Sequence, residues 1–263
     1  MPAQYNVRNG LRQQYLKKSL MTTNQSDSTG LLPYQKENVK KWITYYRRNW
    51  EIYARDVFGL TLYPIQAMKI HMMGISDTYF DISTRGTAKS FDVGVGALCA
   101  FSLYPYSEIV ITASTIGQAS KLVETKIRDE IIKKLSPYLL YLYSKEYILI
   151  YKSNTESGGY TIENKLNGSK IIVLPCLDSS RGPRATMVVF EEARLLKKTL
   201  VDSIFLPMLH TRQAKYLLKK EYQTKRWLQK ETGKAIYITS SRYRYEWLNF
   251  LDHYKPVELL ETP

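Results

Sequence analysis

Ser83-Thr84-Arg85-Gly86-Thr87-Ala88-Lys89-Ser90 is the stretch on which the reading of this chain turns. It follows a β-prone run at 79–83 and precedes an apolar helical run that begins near Val93, which gives the order strand, loop, Lys-Ser, helix. A loop of this kind turns backbone N–H groups and a helix N-terminus towards phosphate. The lysine then reaches the β and γ oxygens, and the next hydroxyl binds Mg²⁺. Ser83, Thr84, Gly86, Thr87, Ala88, Lys89 and Ser90 are therefore candidate contacts for ATP, with Ser90 also a candidate Mg²⁺ ligand. Both glycines of the common pattern are missing, since Ser83 stands at the first and Ala88 at the second. Alanine adds one methyl there, which such a loop accommodates more readily than a β-branched side chain. On its own the octapeptide fits a capped polar turn between strand and helix as well as it fits a phosphate cradle.

Downstream, the apolar run Met187-Val188-Val189-Phe190 ends in Glu191-Glu192. A buried strand that delivers two carboxylates at its C-terminal end matches the chemistry of phosphoryl transfer. The first acid, Glu191, would hold Mg²⁺, and the second, Glu192, would polarise the attacking water. The other reading is a strand running into an exposed helix whose first turn favours acids. Together with the loop upstream, the paired acids favour the catalytic one.

Around these motifs the chain alternates short β-rich runs with longer amphipathic segments. The pattern predicts an α/β domain built on a mostly parallel sheet, with strands at 79–83, 108–113, 170–174, 186–191 and 235–240. Helices are expected at 88–102, 116–135 and 194–210. Asn167-Gly168 lies between β-prone runs at 160–164 and 170–174, which predicts an antiparallel hairpin insertion. Residues 1–32 are polar and aperiodic and read as a flexible arm. Residues 33–60 carry Trp42, Ile43, Tyr46, Trp50 and Tyr53 at helical spacing and read as a helical cap on a domain that runs from 61 to 263.

The 263 residues, 44% hydrophobic, suffice for a sizeable core, which excludes a disordered tail or a disulfide-stapled miniprotein. Lys and Arg number 38 against 24 Asp and Glu, a net charge of +14 that favours a polyanionic partner, nucleic acid first. Cys99 and Cys176 have no neighbours at metal-ligand spacing, so neither a zinc site nor a disulfide framework is indicated, and an intracellular chain is expected. No apolar run approaches a membrane span and no signal-peptide core opens the chain, so no membrane partner is expected.

The loop resembles the deviant Walker A loop of phage large terminase subunits, the ATPases that pump DNA into procapsids. Trp50 to Leu60 followed by Leu62-Tyr63-Pro64-Ile65-Gln66 is similar to that family's approach to the ATPase fold. Arg181-Gly182-Pro183-Arg184 resembles the segment ahead of its Walker B strand, and Thr239-Ser240-Ser241 resembles its coupling motif. The resemblance spans residues 46–241, and its specificity lies in the order of the motifs. It implies a RecA-like ATPase that uses ATP and Mg²⁺ to move double-stranded DNA. It also implies a homo-oligomeric ring, a pentamer, docked on the portal protein in the host cytoplasm with the small terminase subunit as a further partner. Tyr63 and Gln66 would contact adenine, with a Pro-initiated, polar-capped helix as the other reading of that pair. Arg85 would orient phosphates within the subunit, Arg181 would act as a finger on the neighbouring subunit's ATP, and Thr239 would sense the γ-phosphate. The family's nuclease domain usually follows. This chain ends at Pro263 before such an acidic cluster, so a motor domain without the cutting chemistry is expected.

Two basic stretches are candidates for a sequence-independent grip on DNA. One is the Lys- and Arg-rich run between His210 and Lys234, and the other is Lys121, Lys126 and Arg128. The alternatives to the motor are a non-hydrolysing basic module that binds DNA or the portal, favoured by the missing glycines, and a fragment of a related RecA-like helicase.

Overall fold

The computed structural model describes residues 33–152, 159–210 and 233–240. The chain divides into two units between Tyr45 and Tyr46, and the sheet and the site belong to the second. Expected features at 1–32, and the basic run after His210 up to residue 232, lie outside the described residues.

Seven described strands form one sheet in the order β1-β7-β6-β2-β5-β4-β3. They are β1 (Thr78–Ser83), β2 (Glu108–Ala113), β3 (Ile148–Lys152), β4 (Tyr160–Asn164), β5 (Ser169–Pro175), β6 (Met187–Glu191) and β7 (Lys234–Ser240). The first five in sheet order run parallel, whereas β4 and β3 are antiparallel additions beyond β5. The expected hairpin is therefore present and extends to a third strand, β3. Gly168 supplies its positive φ of 71°.

The parallel strands are apolar almost throughout because both faces are covered. Their period of two divides the core: Ile109, Ile111, Val189, Ile236 and Ile238 face one side, and Val110, Val188, Phe190, Ala235 and Tyr237 face the other. On the second face Tyr237 stacks between Phe80 and Phe190, with ring centroids 4.6 and 4.5 Å away, so one aromatic row ties β1, β7 and β6 together.

The first face is covered by α2 (Trp50–Asp56), α3 (Pro64–Ile75), α4 (Lys89–Leu103), and the segment that begins as α5 (Ile116–Lys121) and continues as a π-helix, Leu122–Leu135. The π-helix approaches α4 closely at Gly94, where a Cβ would lie 3.1 Å from Ile131 Cδ1. Residues 33–60, expected as a helical cap, form α1 (Pro33–Arg48), α2 and the turn after it, in which Trp50, Ala54 and Phe58 are fully buried in the core, with α2 packed on α3 and α4. Helix α6 (Pro137–Ser144) starts with Pro137 at N1, and the Ser136 side chain caps it.

The helix expected at 194–210 does not form as one piece. A short 3-10 turn, Ala193–Leu195, is followed by extended backbone at Leu196 and Lys197. Helical structure resumes only at Lys198–Leu200, passing through a π-turn, Val201–Phe205, into Leu206–His210. Pro207 lacks the N–H that an unbroken α-helix needs at that turn. No described helix is long and apolar enough to cross a membrane.

Candidate active site

The parallel register brings the C-terminal ends of three strands together. Ser83 of β1 lies opposite Ser240 of β7, and Glu191 of β6 lies opposite Ile238. In open α/β sheets this rim is where ligands sit. A cavity of about 440 Å³ opens there, lined by Arg85 to Phe91, Lys126, Glu191, Glu192 and Ile238 to Ser240.

Between β1 and α4 the loop turns on two left-handed residues, Gly86 at φ 87° and Ala88 at φ 59°. Gly86 adopts this conformation freely, whereas at Ala88 it costs about 1 kcal/mol, so the surroundings must hold it. Within the loop the Thr87 hydroxyl donates to the Thr84 carbonyl at 2.9 Å and touches the Ser83 hydroxyl at 2.7 Å. Lys89 folds over the loop, with Nζ donating to the carbonyls of Ser83 at 2.8 Å and Thr84 at 2.6 Å. Burial pushes the pKa of its ammonium down, opposed by the nearby carboxylates of Asp81, Glu192 and Glu191.

Across the cavity the Ser90 hydroxyl donates to Glu191 Oε1 at 3.1 Å, while Glu191 Oε2 is buried without a hydrogen-bond partner. Burial pushes the Glu191 carboxyl up to about 7. The Glu192 charge adds to the rise, and the Ser90 bond and Lys89 oppose it. Glu192 leaves the strand at φ 47° and turns its carboxylate to β7. Oε1 accepts from Ser240 Oγ at 2.9 Å, Oε2 accepts from Ser240 N at 3.3 Å and Thr239 Oγ1 at 3.4 Å, and Arg194 Nε lies 3.5 Å from Oε2. Burial alone would raise this carboxyl, but the two Ser240 bonds and Arg194 outweigh it and hold it below the usual carboxylate range.

The structure thus brings together Arg85, Gly86, Thr87, Ala88, Lys89, Ser90, Glu191, Glu192 and Thr239. Ser83 and Thr84 join through their carbonyls. Tyr63 and Gln66, expected at adenine, do not line the cavity. Tyr63 is 76% exposed and caps α3, while Gln66 is buried, its Oε1 accepting from Tyr63 N and its Nε2 donating to Asp92 Oδ1 at 3.0 Å. Both residues belong to the polar-capped start of α3. Arg181 also lies off the lining, exposed and paired with Asp178 Oδ1 at 3.1 Å.

Sequence reasoning missed Lys126 and Ser240 as site residues. Lys126, a candidate for gripping DNA in the sequence, lines the cavity and pairs with Glu130 at 2.7 Å. Nothing in its helical neighbourhood signalled this. Ser240 stood beside Thr239 in the coupling segment and was the available clue.

A mostly parallel sheet with a lysine-bearing loop after one strand and two acids after another, separated by an intervening strand, is the RecA-like P-loop arrangement. Among solved structures the chain shares its fold with a large terminase from a thermophilic bacteriophage, at a TM-score of 0.51 and 12% identity over 73% of this chain. The match covers 44% of that protein, so this chain spans less than half its length. The Thermus phage P74-26 large terminase ATPase domain matches at 0.48 and 15%, covering 75% of this chain and 72% of that one. The large terminase of bacteriophage HK97 matches at 0.49 and 10%, covering 74% and 38% respectively. No protein-family model matches the sequence, and no curated protein does.

Proposed function

We propose that this chain is the ATP-hydrolysing motor domain of a viral DNA-packaging terminase and drives double-stranded DNA into a procapsid. One observation carries the reading: Lys89, Ser90, Glu191, Glu192 and Thr239, far apart in sequence, line a single cavity at the C-terminal rim of β1, β7 and β6. Lys89 and the loop amides bind the phosphates, and Arg85 orients them. Glu192 orients the attacking water and takes its proton as the water oxygen bonds the γ-phosphorus and the bond to the β-phosphate oxygen breaks.

Ser90 and Glu191 suit Mg²⁺, for they offer hard oxygen donors side by side and one carboxylate oxygen that is buried and unpaired. A Mg²⁺ held by Ser90 and Glu191 would supply neutralisation of the negative charge on the phosphates during transfer. Thr239, hydrogen-bonded to Glu192, relays the state of the γ-phosphate. The working assembly is a pentameric ring on the portal protein in the host cytoplasm, with the small terminase subunit delivering DNA. The +14 charge supports a polyanionic cargo held by its backbone.

Phosphate release, measured with and without DNA and portal, tests the reading. Lys89→Ala should abolish nucleotide binding or turnover, and Glu192→Gln should retain bound ATP while turnover falls on the order of 100-fold or more. Unchanged turnover in both variants refutes the proposal.

A further inference from the structure

A loop without its two glycines needs another source of rigidity, and the structure holds a polar cluster directly beneath it. Lys69 of α3 is 8% exposed and lies outside the cavity lining. Its Nζ is 2.8 Å from Asp81 Oδ2 on β1, 3.6 Å from Asp92 Oδ2 on α4 and 3.5 Å from the Thr87 carbonyl in the loop itself. Gln66, one turn earlier on α3, holds the other oxygen of Asp92. The other oxygen of Asp81 accepts from the Ser83 hydroxyl at 2.8 Å, and that hydroxyl touches Thr87. Strand end, loop and helix start are thereby fastened to α3 through one ammonium.

A buried ammonium between two carboxylates is a poor way to add stability, because desolvation offsets most of the attraction. Its directional contacts instead fix geometry. Ser83, standing where a glycine is customary, contributes a hydroxyl that a glycine could not, and Ala88 is left-handed in a loop tied down at both ends.

We propose that Lys69, with Asp81 and Asp92, is a positioning device that braces the glycine-poor phosphate loop in its binding shape. The inference rests on the reading that this loop binds nucleotide phosphates. Lys69 touches no phosphate and acts through Thr87, Asp81 and Ser83.

Calorimetric titration of the full chain with ATPγS and magnesium tests it, alongside thermal melting to show that each variant is folded. Lys69→Met should weaken binding at least tenfold. In steady-state turnover KM should rise while kcat stays within about twofold, because Glu192 and Ser240 lie on other strands. Ser83→Ala cuts the same brace at its other end. The double variant should therefore bind no more weakly than the worse single, whereas two independent structural losses would multiply. Should Lys69→Met fail to fold, the charge-neutral set Lys69→Met, Asp81→Asn, Asp92→Asn carries the same expectation. Unchanged affinity in a folded variant, or multiplying losses, overturns the brace alone, provided the parent chain binds ATPγS. A parent chain that binds none overturns the nucleotide reading and the brace with it.

Discussion

Glu192 owes its position to a single backbone conformation. Had the residue continued β6, the pleat would have turned its side chain to the opposite face from Phe190's neighbour Glu191, but at φ 47° and ψ 52° it swings to the tip of β7. There the Ser240 hydroxyl and amide hold the carboxylate. Removing the hydroxyl leaves an ionised acceptor short of one charge-assisted bond, worth roughly 1.5–3 kcal/mol, so on the proposed role of Glu192 as base its misplacement should cost roughly ten- to a hundredfold in rate. Ser240→Ala is accordingly expected to lower kcat by that factor while leaving ATPγS affinity within about twofold, read by single-turnover phosphate release. An equal loss of affinity would mean that Ser240 serves the loop and not the acid. Lys89, Ser90, Glu191 and Glu192 were legible in the sequence because their residue types and adjacency are themselves the chemistry. The partners of Gln66 were not, since an amide that could read a base is equally satisfied by a buried carboxylate, and only packing decides between them.

At the scale of elements, short β-rich apolar runs made the parallel strands legible to within a residue, and the Asn167-Gly168 turn made the hairpin legible. Their order in the sheet was not, because the placement of β7 between β1 and β6 depends on pairing across most of the chain. The break after Glu192 was hidden for a related reason. Leu196, Val201, Ile204, Phe205 and Met208 keep an apolar rhythm that suggests one helix, yet they reach the second face of the sheet from several short turns. Strand β3 escaped because it is partly exposed, and α3 was visible only as the Pro-initiated alternative at Tyr63 and Gln66 because it is weakly amphipathic. Helix α3 also shows where elements approach most closely. A Cβ at Gly74 would lie 2.9 Å from Trp50 Cγ, and Trp50 is fully buried. Gly74→Ala should therefore destabilise by about 1–3 kcal/mol, seen as a fall of several degrees in Tm. Gly117→Ala, with nothing within 4 Å of its Cβ, should be neutral or gain up to about 1 kcal/mol. Equal melting of the two variants would contradict this account of the α2–α3 contact.

At the scale of the whole molecule, the cavity has cationic groups of its own, Arg85, Lys89 and Lys126, but Arg181 is not among them. Its side chain is 61% exposed and, among the described residues, pairs with the exposed Asp178, a pairing worth about 0–1 kcal/mol and easily given up. A charge stabilises a transition state most when it lies directly against the charge that develops there. On the proposed function, Arg181 would serve hydrolysis at the site of another copy, which a ring of subunits would provide. Arg181→Ala alone should then lose on the order of 10³-fold in turnover with ATPγS affinity unchanged, as expected of a finger that acts in the transition state. The decisive measurement mixes Arg181→Ala subunits with Glu192→Gln subunits in the presence of DNA and portal. Each variant is inactive by itself, but an Arg181→Ala subunit keeps an intact Glu192 site that the Arg181 of a neighbouring Glu192→Gln subunit can complete. Turnover should reappear on mixing, peak near equal proportions and vanish when the ring is diluted apart. If no mixture exceeds its parents, Arg181 works within its own chain or not at all, and the ring is not needed to complete the site.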